Sequence, residues 1–180
     1  VELALGLPSE QVALRGPVGV GRRLHPVRVR RVGRPALPPA VPSGVVPVPS
    51  PVPAEAVLDL LIPGADIVVP LANGEPTAVL DAVEAGADSL EGVRVHQMHV
   101  LHDRPYLHGA FGDRLRHVSY FLSGVTRPAY WAGTVDLVPN HFSEVPTLLE
   151  RSTDCTVVVA ASRPPDRHGY FSLGTNADYV

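Results

Sequence analysis

The chain contains no lysine; all fifteen of its basic residues are arginine. That bias carries no folding meaning and is what a GC-rich coding sequence favours. Cysteine is nearly absent too. The single Cys155 excludes an internal disulfide framework and fits a reducing compartment. It sits in the apolar run CTVVVAA and reads as a small buried hydrophobe rather than a nucleophile. No run approaches the ~18 apolar residues that a membrane span needs. The amino terminus shows no charged segment followed by an unbroken apolar core, so no signal peptide is expected. A cytoplasmic protein without a membrane partner is the expectation. No G-x-S-x-G occurs, so Ser119, Ser143 and Ser172 lack the context of a hydrolase nucleophile.

What is abundant is unevenly spread. Eleven of the 20 prolines lie in residues 1–53. The same segment carries seven arginines against Glu2 and Glu10, about +5, whereas residues 54–180 carry eight arginines against sixteen acids, about −8. These sum to the formal net charge of −3. Residues 1–53 show neither helical nor strand periodicity, and proline recurs too often for a helix or a central strand. A disordered or weakly extended segment is expected there. It reads as a Pro-rich arm, as a genuine extension, or as a stretch translated from the wrong frame or start. A basic arm on an acidic body raises nucleic-acid binding, but the body has no basic face, and that partner is not favoured.

From Ala54 the pattern becomes regular. Residues 54–62 (AEAVLDLLI) predict a short helix with Val57, Leu58, Leu61 and Ile62 on one face, stopped by Pro63-Gly64. Residues 66–71 predict a strand. Residues 77–85 predict a helix with Val79, Leu80 and Val83 inward, stopped at Gly86. Strands are expected over 93–101, 117–122 and 135–138, with a loop and short helix over 102–115 and a helical turn over 127–133. Residues 143–151 predict a helix capped by Ser143 with its proline in the first turn. Residues 155–161 read as a strand buried on both faces. Strands alternating with short helices imply an α/β fold with a mainly parallel sheet and short helices on both faces.

Three constellations bear on chemistry. The loop Asn73-Gly74-Glu75-Pro76 joins a buried strand to a helix. Such a junction places free backbone N–H groups at one point, where they can hold an anion. Gly74 permits close backbone approach, Asn73 adds a side-chain donor, and Pro76 suits the first helical turn. Oxyanion stabilisation, carboxylate binding and an ordinary βα turn all need similar residues. The spacing His96-x-x-His99-x-x-His102 suggests metal ligands, but in a strand His96 and His99 point to opposite faces, and no further Cys or Glu completes a set. No metal is expected. The turn containing Asp166, Arg167, His168 and Gly169 follows a strand, where ligands of open parallel sheets bind. Asp166 and His168 then touch a substrate, or Asp166 bonds its own backbone and Gly169 supplies a positive φ.

Residues 54–180 resemble the amino-terminal half of the acetyl-CoA hydrolase/transferase family, the class I CoA-transferases acting on 4-hydroxybutyrate, butyryl and succinyl/acetate substrates. Five segments carry the resemblance in order: PGADIVV, NGEP, RHVSYFLSGVTRPA, GTVDLVPNHFSEVP and RPPDRHGYFSLGTNADYV. Pro128 and the pair Ser123-Gly124 depart from the family pattern. The resemblance implies CoA transfer from an acyl-CoA to a small carboxylic acid through a glutamyl-CoA thioester, with coenzyme A as substrate and no permanently bound cofactor. It places the nucleophilic glutamate in a carboxyl-terminal half; none of Glu75, Glu84, Glu91, Glu144 or Glu150 stands in the nucleophile's context. The chain is therefore expected to be a truncated amino-terminal domain, inactive alone, whose partners are that second half and, when complete, further copies of itself. The resemblance assigns substrate binding to Asn73, Gly74, Glu75 and Pro76, and a wall of the interdomain cleft to Asp166, His168 and Gly169. The rival expectation is a non-enzymatic α/β binding module with a Pro/Arg arm.

Overall fold

Val93, Val95, Gln97 and their neighbours alternate in and out of the interior, and around them the chain builds a parallel sheet. A computed structural model describes residues 51–154, 156–167, 170–174 and 178–180. Five strands, β1 (Asp66–Val68), β2 (Val93–Gln97), β3 (Leu115–Ser119), β4 (Val135–Leu137) and β5 (Val157–Val158), lie in the order β4-β3-β2-β1-β5. All four pairings are parallel, with Ile67 opposite Val95 and Val157, Val95 opposite His117, and His117 opposite Val135. Among the described residues the α-helices are α1 (Thr77–Ala85), α2 (Thr126–Ala132) and α3 (Val145–Ser152). The expected α/β architecture is the one observed. Residues 1–50 lie outside the described part, and with them most of the segment expected to be disordered.

The pleat divides the sheet's two faces. Ile67, Val69, Val93, Val95 and Leu115 form the larger core with Leu80 and Val83 of α1 and Ala129 of α2. Each of these Val, Leu and Ile side chains, fully buried, stabilises the fold by about 1.5–3 kcal/mol. On the other face Val68, Met98 and Tyr120 pack against Val145 and Leu149 of α3. Helices therefore cover both faces, unequally.

Several local expectations differ from the structure. Residues 54–60 form a 3-10 helix rather than an α-helix, and Ile62, expected inward, is 61% exposed after the helix has ended. Ser143 does not cap α3 through its side chain: a 3-10 turn, Phe142–Glu144, precedes the helix and moves its start to Val145. The run 155–161 is not buried on both faces. Only Val157–Val158 pairs, at the sheet edge against β1, with Val157 buried and Val158 exposed; Cys155 lies outside the described residues. Gly86 does follow α1, but with φ −90°, not in the left-handed region. Its use is close approach: a Cβ there would lie 2.6 Å from Leu58 Cδ1. By contrast Gly133 ends α2 at φ +77°, a conformation that suits glycine. Among the described residues no helix is long and apolar enough to cross a membrane.

Candidate functional site at the carboxyl edge of the sheet

Residues 69–76 leave β1 toward α1 in two steps. Val69 still donates to His96 O (2.9 Å) and Ala72 to His99 O (2.7 Å). A 3-10 turn, Ala72–Gly74, then precedes the helix. Within it Gly74 N–H donates to Leu71 O (3.0 Å) and Glu75 N–H to Ala72 O (3.2 Å), while Thr77 N–H donates to Glu75 O (3.0 Å) and Val79 N–H to Pro76 O (3.0 Å). The helix entrance therefore satisfies most of its own donors, unlike the cluster of free N–H groups expected from sequence. Within the turn Ala72 adopts φ +50°.

The four loop residues consequently differ in role. Asn73 is exposed at the tip; Gly74, Glu75 and Pro76 are buried. Among the described residues neither the Asn73 backbone N–H nor its side-chain amide has a hydrogen-bond partner. Glu75 turns its carboxylate inward, where its side chain is 2% exposed. Oε1 accepts from Gln97 Nε2 (3.0 Å) and Leu101 N–H (2.9 Å), and Oε2 lies 2.5 Å from His102 Nδ1. Both oxygens of its carboxylate are thus engaged within the chain.

Beside this loop an open cavity of about 290 Å³ is lined by Leu71, Met98, His99, Tyr120, Phe121, Asn140 and Phe142. These residues follow β1, β2, β3 and β4, so the cavity lies beyond the strands' carboxyl ends, where parallel α/β sheets bind ligands. Phe121 and Phe142 are more than half exposed on its rim, and His99 contacts the Phe121 ring at 5.4 Å. Asn140 Nδ2 donates to Tyr120 O and Val138 O (both 2.8 Å), which fixes its position. Sequence reasoning missed Asn140 and the aromatic rim; aromatic residues recurring just after strand ends were the available signal.

Tyr120 also connects the cavity floor to a buried chain of polar groups. His96 Nδ1 lies 3.0 Å from Tyr120 Oη and its Nε2 2.9 Å from Asp66 Oδ1, while Asp66 Oδ2 accepts from Asp154 N–H (2.8 Å). Burial pushes Tyr120 up to about 12, so the phenol stays protonated near neutrality. Burial alone would raise Asp66, but the bonds from His96 and the Asp154 N–H outweigh it and hold the carboxyl below its ordinary value. The three histidines of the suggestive spacing thus diverge: His96 joins this chain, His99 lines the cavity, and His102 meets Glu75.

The second candidate segment follows β5, the strand adjoining β1. Arg163 bridges Ser172 in antiparallel fashion, Asp166 N–H donates to Tyr170 O (3.0 Å), and Tyr170 N–H donates to Asp166 Oδ1 (3.0 Å). Asp166 is exposed and shapes its own turn; His168 and Gly169 lie outside the described residues. The tail is closer to the first site. Asp178 Oδ2 accepts from Leu71 N–H (3.0 Å), while Tyr179 Oη donates to Val69 O (2.6 Å) and accepts from Met98 N–H (3.0 Å).

Known proteins are similar to this chain in sequence and fold. Residues 53–180 match the acetyl-CoA hydrolase/transferase N-terminal domain. The succinyl-CoA:cyclohexane-1-carboxylate CoA transferase of Geobacter metallireducens is 36% identical over 131 residues, 73% of this chain and 29% of that protein. The 4-hydroxybutyrate coenzyme A transferase of Clostridium kluyveri is 31% identical over 110 residues, 61% of this chain and 26% of that protein. Among solved structures, RipA from Yersinia pestis superposes with a TM-score of 0.63 at 25% identity, covering 71% of this chain and 32% of that one. A 4-hydroxybutyrate CoA-transferase from Porphyromonas gingivalis superposes with a TM-score of 0.52 at 27% identity, over 70% of this chain and 28% of that one. The chain spans less than a third of the length of the curated relatives it matches.

Proposed function

The chain belongs to the acetyl-CoA hydrolase/transferase family through its amino-terminal domain, and from that premise we propose that it supplies one wall of the site of an acyl-CoA:carboxylate CoA-transferase. The observation that carries the proposal is Asn73, exposed and without a hydrogen-bond partner among the described residues, two positions from Leu71, which lines the open cavity at the sheet's carboxyl edge. The opposite wall, with the nucleophilic glutamate, belongs to a carboxyl-terminal half.

In this reading the glutamate attacks the acyl-CoA thioester. The tetrahedral intermediate collapses to a mixed anhydride as CoA thiolate leaves. The thiolate then attacks the anhydride's glutamyl carbonyl, releasing the first carboxylate and leaving a glutamyl-CoA thioester, from which the acceptor acid collects CoA by the reverse sequence. A carboxylate nucleophile divides one difficult exchange into easier steps. Each tetrahedral oxygen needs donors that are already in place. Gly74 N–H is engaged with Leu71 O, so the donor role falls to Asn73, and the cavity edged by Leu71, Phe121 and Phe142 takes the acyl group. Asp166, His168 and Gly169 contribute a wall of the cleft between the two halves. Coenzyme A enters as substrate, and a small carboxylic acid is the acceptor.

The test is acyl-CoA:acetate exchange by the domain joined to, or mixed with, a carboxyl-terminal half. Asn73→Ala is expected to lower turnover by roughly 10²-fold, the scale of one lost oxyanion donor. An unchanged rate removes Asn73 from the site.

A further inference from the structure

We propose that Gln97, Glu75 and His102 form a latch that positions Asn73, so that the loop's glutamate is a positioning residue and not a substrate ligand. This rests on the reading of Asn73 as the oxyanion donor. A buried carboxylate is costly unless donors surround it, and Glu75 has three: Gln97 Nε2 at 3.0 Å, Leu101 N–H at 2.9 Å and His102 Nδ1 at 2.5 Å. Gln97, fully buried, also donates from the same Nε2 to Pro70 O at 2.9 Å. One amide group therefore holds the chain on both sides of residues 71–74.

Between those two anchors Ala72 sits at φ +50°, where an L side chain crowds its own backbone. Such a conformation persists only where the surroundings over-determine it. Here the surroundings are residues 97–102, which leave β2 and meet the loop at Pro70 O, at Ala72 N–H through His99 O, and at the Glu75 carboxylate. Among the described residues Asn73 itself has no hydrogen-bond partner, so its place is set by these flanking ties together with Asp178, whose Oδ2 accepts from Leu71 N–H at 3.0 Å. The His99 backbone and the His102 side chain hold one loop from neighbouring points.

His102 is the accessible member, with its side chain 58% exposed, so it can be changed without opening the core. The experiment pairs amide hydrogen exchange on the chain with kinetics of the domain joined to its carboxyl-terminal half. His102→Ala is expected to speed exchange at Leu101 and Ala72 by about tenfold, and to lower kcat by about tenfold through misplacement of the donor. KM for acyl-CoA should stay within about twofold, because the interaction is made in the transition state. His102→Asn, which keeps a side-chain donor at similar reach, should restore both readouts to within about threefold. Glu75→Gln, which retains Oε1 as acceptor, should likewise keep KM. Unchanged exchange in His102→Ala, a His102→Asn no better than alanine, or a raised KM in Glu75→Gln overturns the latch. Faster exchange with kcat unchanged in both His102→Ala and Asn73→Ala overturns the oxyanion reading, and with it the latch's catalytic purpose.

Discussion

His117 offers a pH measurement with a definite sign. It lies in the middle of β3, fully buried, its ring stacked on Tyr106 with centroids 5.8 Å apart. Neither ring nitrogen has a hydrogen-bond partner among the described residues. Burial first, and the neighbouring His96 second, hold its pKa down to about 3, against about 6.5 in an unfolded chain. Between those values the unfolded state binds one more proton than the folded state. Stability is therefore complete above the unfolded value and falls as pH drops below it, by up to about 1.4 kcal/mol per pH unit. From pH 7 to pH 5 the integrated loss is about 2 kcal/mol. Urea denaturation midpoints measured over that range should fall accordingly. His117→Leu removes both unpaired nitrogens at similar volume, so it should flatten this part of the profile and be neutral or stabilising at pH 7. Identical pH slopes for the parent and His117→Leu would refute a buried neutral imidazole.

Other perturbations have simpler readouts. Arg104, 6% exposed, holds Asp81 (2.8 Å) and the largely buried Glu84 (3.2 Å); Arg104→Met should cost about 2–3 kcal/mol in denaturant unfolding, because it strands Glu84. Tyr179→Phe removes one hydroxyl that serves Val69 O and Met98 N–H, and should cost about 1–2 kcal/mol while speeding hydrogen exchange at Met98. Gly86→Ala drives a Cβ to within 2.6 Å of Leu58 Cδ1 and should lower stability by about 1–3 kcal/mol. A second change, Leu58→Ala, should then relieve the clash in Gly86→Ala, which a double-mutant cycle reads directly.

What was legible in the sequence follows from which forces are local. Helix α1 spans residues 77–85 as expected, since Pro76, the apolar spacing of Leu80 and Val83, and Gly86 agree with one another. The run 155–161 misled, because an apolar β-branched segment reads alike at the centre and the edge of a sheet; only its neighbour β1, nearly ninety residues earlier, decides. The turn before α1 was legible through its turn chemistry. The partnership of Glu75 with Gln97 and His102 was not, because it joins two loops across 22 to 27 residues. A signal for it existed in VRVHQMHV. Period-two alternation puts Val93, Val95 and Gln97 on one core-facing side, and a polar residue at a core position implies a buried partner.

That reasoning extends to the whole carboxyl edge. Where the strands splay and ladder bonds end, backbone groups need other partners, and here buried or half-buried side chains supply them. Gln97 binds Pro70 O, Ser119 Oγ binds Phe121 O at 2.7 Å, Asn140 binds Tyr120 O and Val138 O, and Tyr179 binds Val69 O. Polar ties are not confined to that edge: Asp66, at the amino end of β1, is held by His96 and by Asp154 N–H, while the pair Arg114–Asp88 is a surface one of the kind that contributes little to rigidity. Under the proposed function the ties at the carboxyl edge keep the donor in place, which avoids reorganisation at the moment of reaction. Side chains tie the loops after β1 and β2 to each other, and likewise those after β3 and β4, so under the proposed function a change in the loop after β2 should be felt at Asn73 before it is felt in global stability.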